Sequence, residues 1–423
     1  MVFVILLLIN ACRSSAAPVA SPEQPASGAV TTHNPPLARE RTGPQQPSGS
    51  GNGLVLWAPP FFSINTPDRP DAVLAAVLAE SAPAANGAPV KIVTKAEQGQ
   101  AGLLSYLLIT SRVASTLVPD IVLINSLDLS RAVNAGLLVA LTPEEAAPFS
   151  NIPPPILETA TIQGALYGLP FVANLEHLVY QTDRLATPPA TWKDFLSQEK
   201  RLLFAGGSVD GHSVSFAWTL YLLGGGQLDE QGNILAPSVL ESAFELLSDG
   251  HKRGLIPDSA LTLSSPQAVW TFFVNGGAEM AVSPVSLYLN QQSETGEIGF
   301  APLPTLDGEA RSVVTSWSFA VVTQEPERRQ RALHLLQQLF APQVQGEWSW
   351  SARQVPTQPD AFAYWNTGDP YTIFLRELLA NSVAPPNPHT FDETERILQQ
   401  TQRDLLAGTI SPQQALDNLP LSP

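Results

Sequence analysis

The sequence has a single cysteine, Cys12, among its 423 residues, and this scarcity excludes several kinds of site. One cysteine cannot form an intramolecular disulfide, so the cysteine count does not distinguish an oxidising compartment from a reducing one. The six histidines do not pair at the spacing of a helical metal site, and further thiolate ligands are missing. The sequence therefore predicts no metal site and no cofactor.

Basic residues are also scarce, because 22 Lys and Arg stand against 38 Asp and Glu, giving a formal net charge of −16. An acidic chain repels nucleic-acid phosphates and anionic membrane surfaces, so we predict no nucleic-acid partner. The apolar run at residues 2–9 is too short to cross a bilayer, which needs about 20 apolar residues. Hydrophobic residues make up 44% of the chain, and its length is sufficient for two domains.

Two segments come close to catalytic or phosphate-binding motifs, but each lacks residues that the motif requires. Residues 206–210 depart from the nucleophile-elbow pattern, because Asp210 stands where the second glycine belongs. The glycines at 224–226 follow a predicted helix and lack the Lys-Ser/Thr of a phosphate-binding loop, so we interpret them as a helix stop. No two carboxylates can be assigned as an acid and a base. We predict that the chain is not an enzyme, and an extracellular hydrolase is the least favoured alternative.

The cysteine itself closes the short apolar run. A run of this length is typical of the core of a secretory signal, and Ala11-Cys12 at its end resembles a bacterial lipobox, in which the cysteine is lipidated. Asn10 and the lack of a preceding Lys or Arg depart from that pattern. We predict a signal peptide over residues 1–12, lipidation of Cys12, and a disordered Pro/Ser/Gly-rich tether over residues 13–53.

From residue 54 onward, predicted strands alternate with predicted helices. Strands at 54–57, 90–94 and 120–124 predict an α/β fold with a mostly parallel, doubly wound sheet. A further apolar strand at 171–180 carries Asn174 and is followed by a capping box that opens a helix at Trp192. Such a strand suits a crossover between two lobes, with Asn174 facing a cleft. An ordinary strand with a solvated asparagine fits the same pattern.

Several segments carry a resemblance to a known family. Tyr-Gly-Leu-Pro at 167–170, Pro-Pro-Ala-Thr-Trp at 188–192 and Ala-Pro-Leu-Pro at 301–304 resemble the bacterial extracellular solute-binding proteins of the maltose-binding type (family 1). Gln181 stands where the family usually has an asparagine. The resemblance implies a periplasmic-binding-protein-like fold of class II type, in which hinge strands join two doubly wound α/β lobes. It places residues 54–170 and 302–340 in lobe 1 and residues 171–301 and 341–423 in lobe 2.

The same resemblance implies a function. It predicts a lipid-anchored, extracytoplasmic solute-binding component of an ABC importer that binds a sugar or oligosaccharide in an inter-lobe cleft. Its partners would be the solute and the transmembrane subunits of an ABC permease. The protein would be a monomer that touches the outer face of the cell membrane only through its lipid. The alternative is a surface receptor or adhesion lipoprotein that keeps the fold without transport.

Candidate ligand-binding residues are aromatic and small polar side chains at element ends, where open α/β sheets bind ligands. Sugar rings pack C–H groups on aromatic rings, while their hydroxyls need polar partners. Any one aromatic in such a position is more often part of the core. The residues selected on this basis are Trp57, Phe61, Asn125, Ser286, Tyr288, Trp317, Trp348 and Arg353.

The resemblance adds Asn174 and Ser215. Asn174 falls where maltose-binding members have a carboxylate, while Ser215 and Ser286 fall at or near positions where those members stack an aromatic ring on sugar. The loss of these two aromatic platforms weighs against maltodextrin itself as the ligand. Trp317 and Trp348 are the candidates to replace them.

Overall fold

The computed structural model describes residues 53–62, 72–84, 90–207, 215–229, 233–291, 298–385 and 388–419. The predicted signal peptide, Cys12 and the predicted tether up to residue 52 lie outside these residues. The strands are β1 (Val55–Ala58), β2 (Lys91–Thr94), β3 (Ile121–Asn125), β4 (Thr161–Ile162), β5 (Ala165–Leu166), β6 (Leu169–Gln181), β7 (Leu202–Leu203), β8 (Met280–Pro284), β9 (Ile298–Ala301), β10 (Ser312–Val321), β11 (Val355–Pro356) and β12 (Ser382–Val383).

The helices interleave with these strands. They are α1 (Ala72–Ala84), α2 (Leu103–Val113), α3 (Ser126–Asn134), α4 (Pro143–Ala146), α5 (Pro154–Glu158), α6 (Trp192–Ser197), α7 (Phe216–Leu223), α8 (Pro237–Lys252), α9 (Pro266–Val274), α10 (Val285–Gln291), α11 (Pro326–Leu339), α12 (Pro342–Ala352), α13 (Pro370–Ala380), α14 (Pro388–Leu406) and α15 (Pro412–Asp417). Short 3-10 turns occupy Ser115–Leu117, Ala147–Phe149, Asp258–Leu261 and Pro359–Tyr364.

Helix ends fall where the sequence chemistry predicts them. The capping box at α6 is present, because the Thr191 hydroxyl accepts from the Asp194 amide while the Asp194 side chain accepts from the Thr191 amide. A second capping box, led by Ser411, opens α15. At the other end of a helix, Gly136 adopts a positive φ of 69° directly after α3 and its cap. Glycine reaches this left-handed conformation without a steric penalty, so it ends the helix.

The main sheet is mixed, whereas the sequence predicts a mostly parallel one. Ten strands form it, and its principal path runs β2-β1-β3-β10-β6-β8-β7. At one end of this path β1 pairs in parallel with β2 and with β3. At the other end β7 pairs in parallel with β8, so both ends have the parallel pairing that the alternating pattern indicates. The centre is antiparallel, because β10 runs against both β3 and β6, and β6 runs against β8. The antiparallel centre is a tertiary feature that local alternation cannot encode.

Strand β6 is the longest and takes part in both halves of the sheet. Its first half pairs with β10, for example Asn174 with Thr315, and with β11. Its second half pairs with β8 and β9, for example Glu176 with Pro284. The predicted strand at 171–180 is therefore confirmed, with one or two more residues at each end.

Both faces of the sheet are covered, which explains the continuous apolar runs. In β3, Ile121 and Leu123 belong to one hydrophobic cluster, while Val122 and Ile124 belong to another on the opposite face. Successive side chains of a strand point to opposite faces, so a strand buried on both sides must be apolar at every position.

The C-terminal helices pack on different parts of the molecule. Helix α12 contacts α1, and its Trp348 ring lies 5.3 Å from Phe62 and 5.0 Å from Phe171 between centroids. Helices α14 and α15 instead contact α8, and α14 also contacts α7. The assignment of residues 341–423 to one lobe stays a prediction, and the packing of α12 favours its association with α1.

Candidate ligand-binding site

A cavity of about 650 Å³ opens where several strands of the main sheet end or cross. The loop after β1, the β3–α3 junction, the middle of β6 and of β10, and the β8–α10 junction all contribute to its wall. This volume lies within the roughly 300–1,000 Å³ typical of small-molecule sites. The site therefore lies at strand ends, as predicted for an open α/β sheet.

Two aromatic rings meet on one side of the cavity. Phe61 and Trp317 both line it, and their rings pack edge to face with centroids 5.3 Å apart. Trp317 lies on β10 beside a register shift between Trp317 and Ser318. Only 8% of Trp317 is exposed, so a small part of its surface is open to the cavity.

Amide side chains face the same space. Asn125, at the end of β3, accepts a hydrogen bond from the Leu127 amide at 2.9 Å and so caps α3. Asn174 donates to the Thr315 hydroxyl at 3.4 Å across the β6–β10 pair. These bonds fix both side chains, because each spans a rigid element boundary or a strand pair. Asn125, Asn174 and Thr315 all line the cavity.

One carboxyl group stands apart from these amides. Glu176 lines the cavity two residues after Asn174 on β6, and burial raises its pKa from 4.5 to about 7. Its backbone is held firmly, since the Ser312 hydroxyl accepts from the Glu176 amide at 3.1 Å and donates to the Glu176 carbonyl at 2.8 Å. Within the part of the chain that the structure describes, the Glu176 carboxyl group has no hydrogen-bond partner.

Of the ten predicted ligand-binding residues, five line the cavity. They are Phe61, Asn125, Asn174, Ser286 and Trp317. Asn125 is the last residue of β3, Phe61 and Ser286 follow β1 and β8, and Asn174 and Trp317 lie within the antiparallel β6–β10 pair. Whether they bind a ligand stays a prediction.

The other two predicted tryptophans lie outside the cavity lining, in the core. Trp57 is 5% exposed and packs under α2, with the Lys95 ammonium 4.8 Å from its ring centroid. Trp348 is 2% exposed and packs against Phe62 and Phe171. Each ring follows the rule that large aromatics supply buried area to a core.

Three further predicted residues also lie outside the cavity lining. Ser215 is buried at the start of α7, where its amide donates to the Glu395 carboxyl group at 2.6 Å. The Tyr288 hydroxyl donates to the Ile298 carbonyl at 3.3 Å within a buried aromatic cluster. Arg353 has a left-handed φ of 55°, and its guanidinium lies 5.0 Å from the Trp350 ring centroid. None of these three residues belongs to the lining of the cavity, and a role in ligand binding stays a prediction for each.

Sequence reasoning missed several lining residues. Glu176 could have been found, because a strand alternates with a period of two and thus puts residues 174 and 176 on the same face. Phe204 and Phe216, which stack with centroids 4.2 Å apart, come from separate segments, and no local pattern pairs them. Gln98 and Glu97, in a loop after β2, also line the cavity.

Metal sites and membrane-spanning helices are both absent from the described ranges. No group of three or more His, Cys, Asp or Glu residues there is arranged to hold a metal ion. No helix within those ranges has both the length and the apolar composition that a bilayer crossing requires.

Comparison with known proteins identifies the family. The profile described as bacterial extracellular solute-binding protein matches residues 78–374, well over half of the chain. The chain belongs to this family. The solute-binding protein is also 26% identical over 205 residues to the maltodextrin-binding protein MdxE of Bacillus subtilis (strain 168). That match covers 42% of this chain and 47% of MdxE, so the chain spans about half the length of the curated relative it matches.

Solved structures resemble this solute-binding protein over most of its length. A cyclo/maltodextrin-binding protein complexed with maltotetraose superposes with a TM-score of 0.71 at 17% identity, covering 88% of this chain and 96% of the other. The cyclic α-maltosyl-1,6-maltose binding protein of Arthrobacter globiformis gives 0.70 at 18% identity, with 86% and 96% covered. The maltose-bound MalE3 of T. maritima gives 0.67 at 18% identity, with 86% and 97% covered. The predicted periplasmic-binding-protein-like fold of class II type is confirmed.

Proposed function

We propose that this protein is the solute-binding component of an ABC importer and that it binds a carbohydrate in the cavity described above. The observation that carries the proposal is the lining itself, which combines the aromatic side chains of Phe61 and Trp317 with the amides of Asn125 and Asn174. Apolar ring surface suits the C–H faces of a sugar, and fixed amides suit its hydroxyls. The maltodextrin-binding relative and the sugar-binding structural neighbours support the same ligand class.

The cavity is proposed to be a cleft between two lobes. Phe61 and Asn125 reach it from the β1 and β3 side of the sheet, while Ser286 reaches it from the β8 side. Strand β6 pairs with both sides, so bending of β6 is a simple way to change the width of the cavity. A solute that contacts both sides would shift the population toward a narrow, closed state.

The proposed location is extracytoplasmic, as the name of the family indicates. Cys12 is proposed to carry a lipid that holds a monomer at the outer face of the membrane, where the closed form would bind the permease subunits. The lipobox-like sequence supports this part of the proposal. Incorporation of a labelled fatty acid during expression tests it: the wild type should be labelled and Cys12→Ser should not. Equal labelling of both would contradict lipidation at Cys12.

A thermal-shift panel tests the binding proposal. A true ligand present at one hundred times its Kd adds about 2.7 kcal/mol to the free energy of unfolding and raises the melting temperature. We expect at least one neutral oligosaccharide to do so, and polyamines and phosphate esters to have no effect. If every sugar leaves the melting temperature unchanged, a receptor or adhesion role without a solute becomes the better explanation. The polar residues that line the cavity favour solute binding over that alternative.

A further inference from the structure

The carboxyl group of Glu176 is unusual among the groups that line the cavity. Its side chain is only partly exposed, it faces the cavity, and no described residue donates a hydrogen bond to it. Buried carboxylates are normally paired or hydrogen-bonded, because an ionised oxygen that loses water must find other donors. In Glu176 those donors are water molecules or the groups of a bound molecule.

The charged groups around Glu176 do not neutralise it. Among the described residues, the ionisable groups that line the cavity are Glu97 and Glu176, both acidic, and Glu97 is exposed. The lining that β8, β10, α7 and α10 contribute carries no charge. Loss of water is the cause that raises the Glu176 pKa, with no contribution from a neighbouring charge.

Basic and acidic side chains on neighbouring elements outside the lining have partners of their own. His177, next along β6, is bonded to the Ser283 carbonyl and the Tyr371 hydroxyl, and burial lowers its pKa to about 4, so it is neutral at pH 7. Arg311, which precedes Ser312 on β10, forms an ion pair with Asp307 at 2.8 Å. On α14, the Glu395 carboxyl group accepts hydrogen bonds from Ser215 and Gln399.

We propose that Glu176 selects the ligand: its carboxylate accepts hydrogen bonds from hydroxyl groups of a neutral oligosaccharide, and the cavity excludes sugars that carry acid groups. This inference rests on the proposed carbohydrate-binding function. A hydroxyl readily donates a hydrogen bond to a carboxylate, and a hydrogen bond to a charged group is stronger than one between neutral groups. A uronic acid or sugar phosphate would instead bring a second negative charge into a space with little water and no described cation.

Binding of a hydroxyl-bearing sugar should also release a proton. Hydrogen bonds to the carboxylate favour its ionised form. Because the pKa of free Glu176 is about 7, a fraction of the molecules is protonated at pH 7 and must lose that proton on binding. We expect release of up to about half a proton per sugar at pH 7, and an affinity that rises with pH and levels off above pH 8.

Isothermal titration calorimetry tests the proposal with four neutral probes and one acidic probe. The neutral probes are maltotetraose, cellotetraose, xylotetraose and raffinose, and the acidic probe is trigalacturonate. Titration at pH 7 in buffers of different ionisation enthalpy measures the protons released. Glu176→Gln keeps the size of the side chain and removes the charge. Glu245→Gln makes the same change at an exposed residue of α8 outside the cavity lining and is the matched control. Melting temperatures verify that both variants fold.

The proposal expects a neutral probe to bind the wild type with proton release and trigalacturonate not to bind. Glu176→Gln should bind that probe about 10- to 150-fold more weakly and release no proton, and Glu245→Gln should stay within about threefold of the wild type. Unchanged affinity and proton release in Glu176→Gln, or preference for trigalacturonate, would overturn the inference and leave sugar binding intact. If no probe binds while the protein is folded, the proposed function is contradicted and the inference with it.

Discussion

Replacing Glu176 by glutamine should stabilise the unliganded protein at neutral and alkaline pH and leave it unchanged in acid. The pKa of Glu176 is about 7 in the folded protein, against 4.5 for an exposed glutamate. Between these two values the folded state holds a proton that the unfolded state has lost. Stability therefore falls as pH rises from about 4.5 to about 7 and is constant above that range. The pKa difference corresponds to an upper bound of about 3 kcal/mol.

Urea unfolding at half-unit steps from pH 4.5 to 8.5 measures this effect in the wild type and in Glu176→Gln. The test uses the difference in unfolding free energy between Glu176→Gln and the wild type at each pH. This difference is needed because His177 makes the stability of the wild type depend on pH in the opposite sense. Burial lowers the His177 pKa to about 4, so its contribution to stability is lost as pH falls below about 6.5. His177 is common to both proteins and cancels in the difference.

The expected difference is near zero at pH 4.5 and favours Glu176→Gln by up to about 3 kcal/mol at pH 8. Glu97→Gln provides the control. Desolvation in the cavity also raises the pKa of Glu97, but the residue as a whole is exposed, so the pH-dependent gain in stability should be smaller than for Glu176→Gln. A difference that does not vary with pH, or a variant that is less stable than the wild type at pH 8, would refute the assignment of Glu176 as a desolvated carboxyl group without a partner.

Three further substitutions test other parts of the structure. Trp348→Ala should lower the free energy of unfolding by about 3–5 kcal/mol and change the affinity of the folded protein for sugar only slightly, whereas Trp317→Ala should weaken sugar binding at least tenfold. Urea unfolding measures the stability of each variant and calorimetry measures its affinity for sugar. Equal effects of the two substitutions on affinity would contradict the assigned cavity lining. Asp120→Asn should lower the free energy of unfolding by about 3–5 kcal/mol, because Asp120 is buried, pairs with Arg328 and accepts a hydrogen bond from the Val55 amide. A decrease below about 1 kcal/mol in urea unfolding would count against a stabilising role of this ion pair. Glu395→Gln should be more stable relative to the wild type at pH 9 than at pH 4.5, because burial raises the Glu395 pKa to about 8; a constant difference in unfolding free energy would contradict this.

Local chemistry predicts much of the fold, because the signals that end a helix are short. The capping box at Thr191 acts within a few residues, and α6 begins at Trp192 as the sequence predicts. The antiparallel centre of the sheet is different, since the pairing of β10 with β6 joins residues far apart in the chain. No periodicity specifies that partner.

The candidate site is harder to predict because aromatic residues serve two purposes. Trp57 and Trp317 both lie on strands of the same sheet, yet Trp57 is enclosed beneath α2 while Trp317 reaches the cavity. Their local sequences do not reveal which neighbours will cover them. Asn174 was predictable from its polarity within an apolar strand, and Glu176 follows from the same alternation.

The most direct test of the central claim is a tryptophan-fluorescence titration of the full-length protein with the neutral oligosaccharides. Trp317→Phe and Trp348→Phe serve as a matched pair, because one ring lines the cavity and the other is buried in the core. We predict a saturable change with one sugar bound per chain in the wild type and in Trp348→Phe, and a much smaller change in Trp317→Phe. No saturable change with any of these sugars, or an undiminished change in Trp317→Phe, would contradict sugar binding in this cavity.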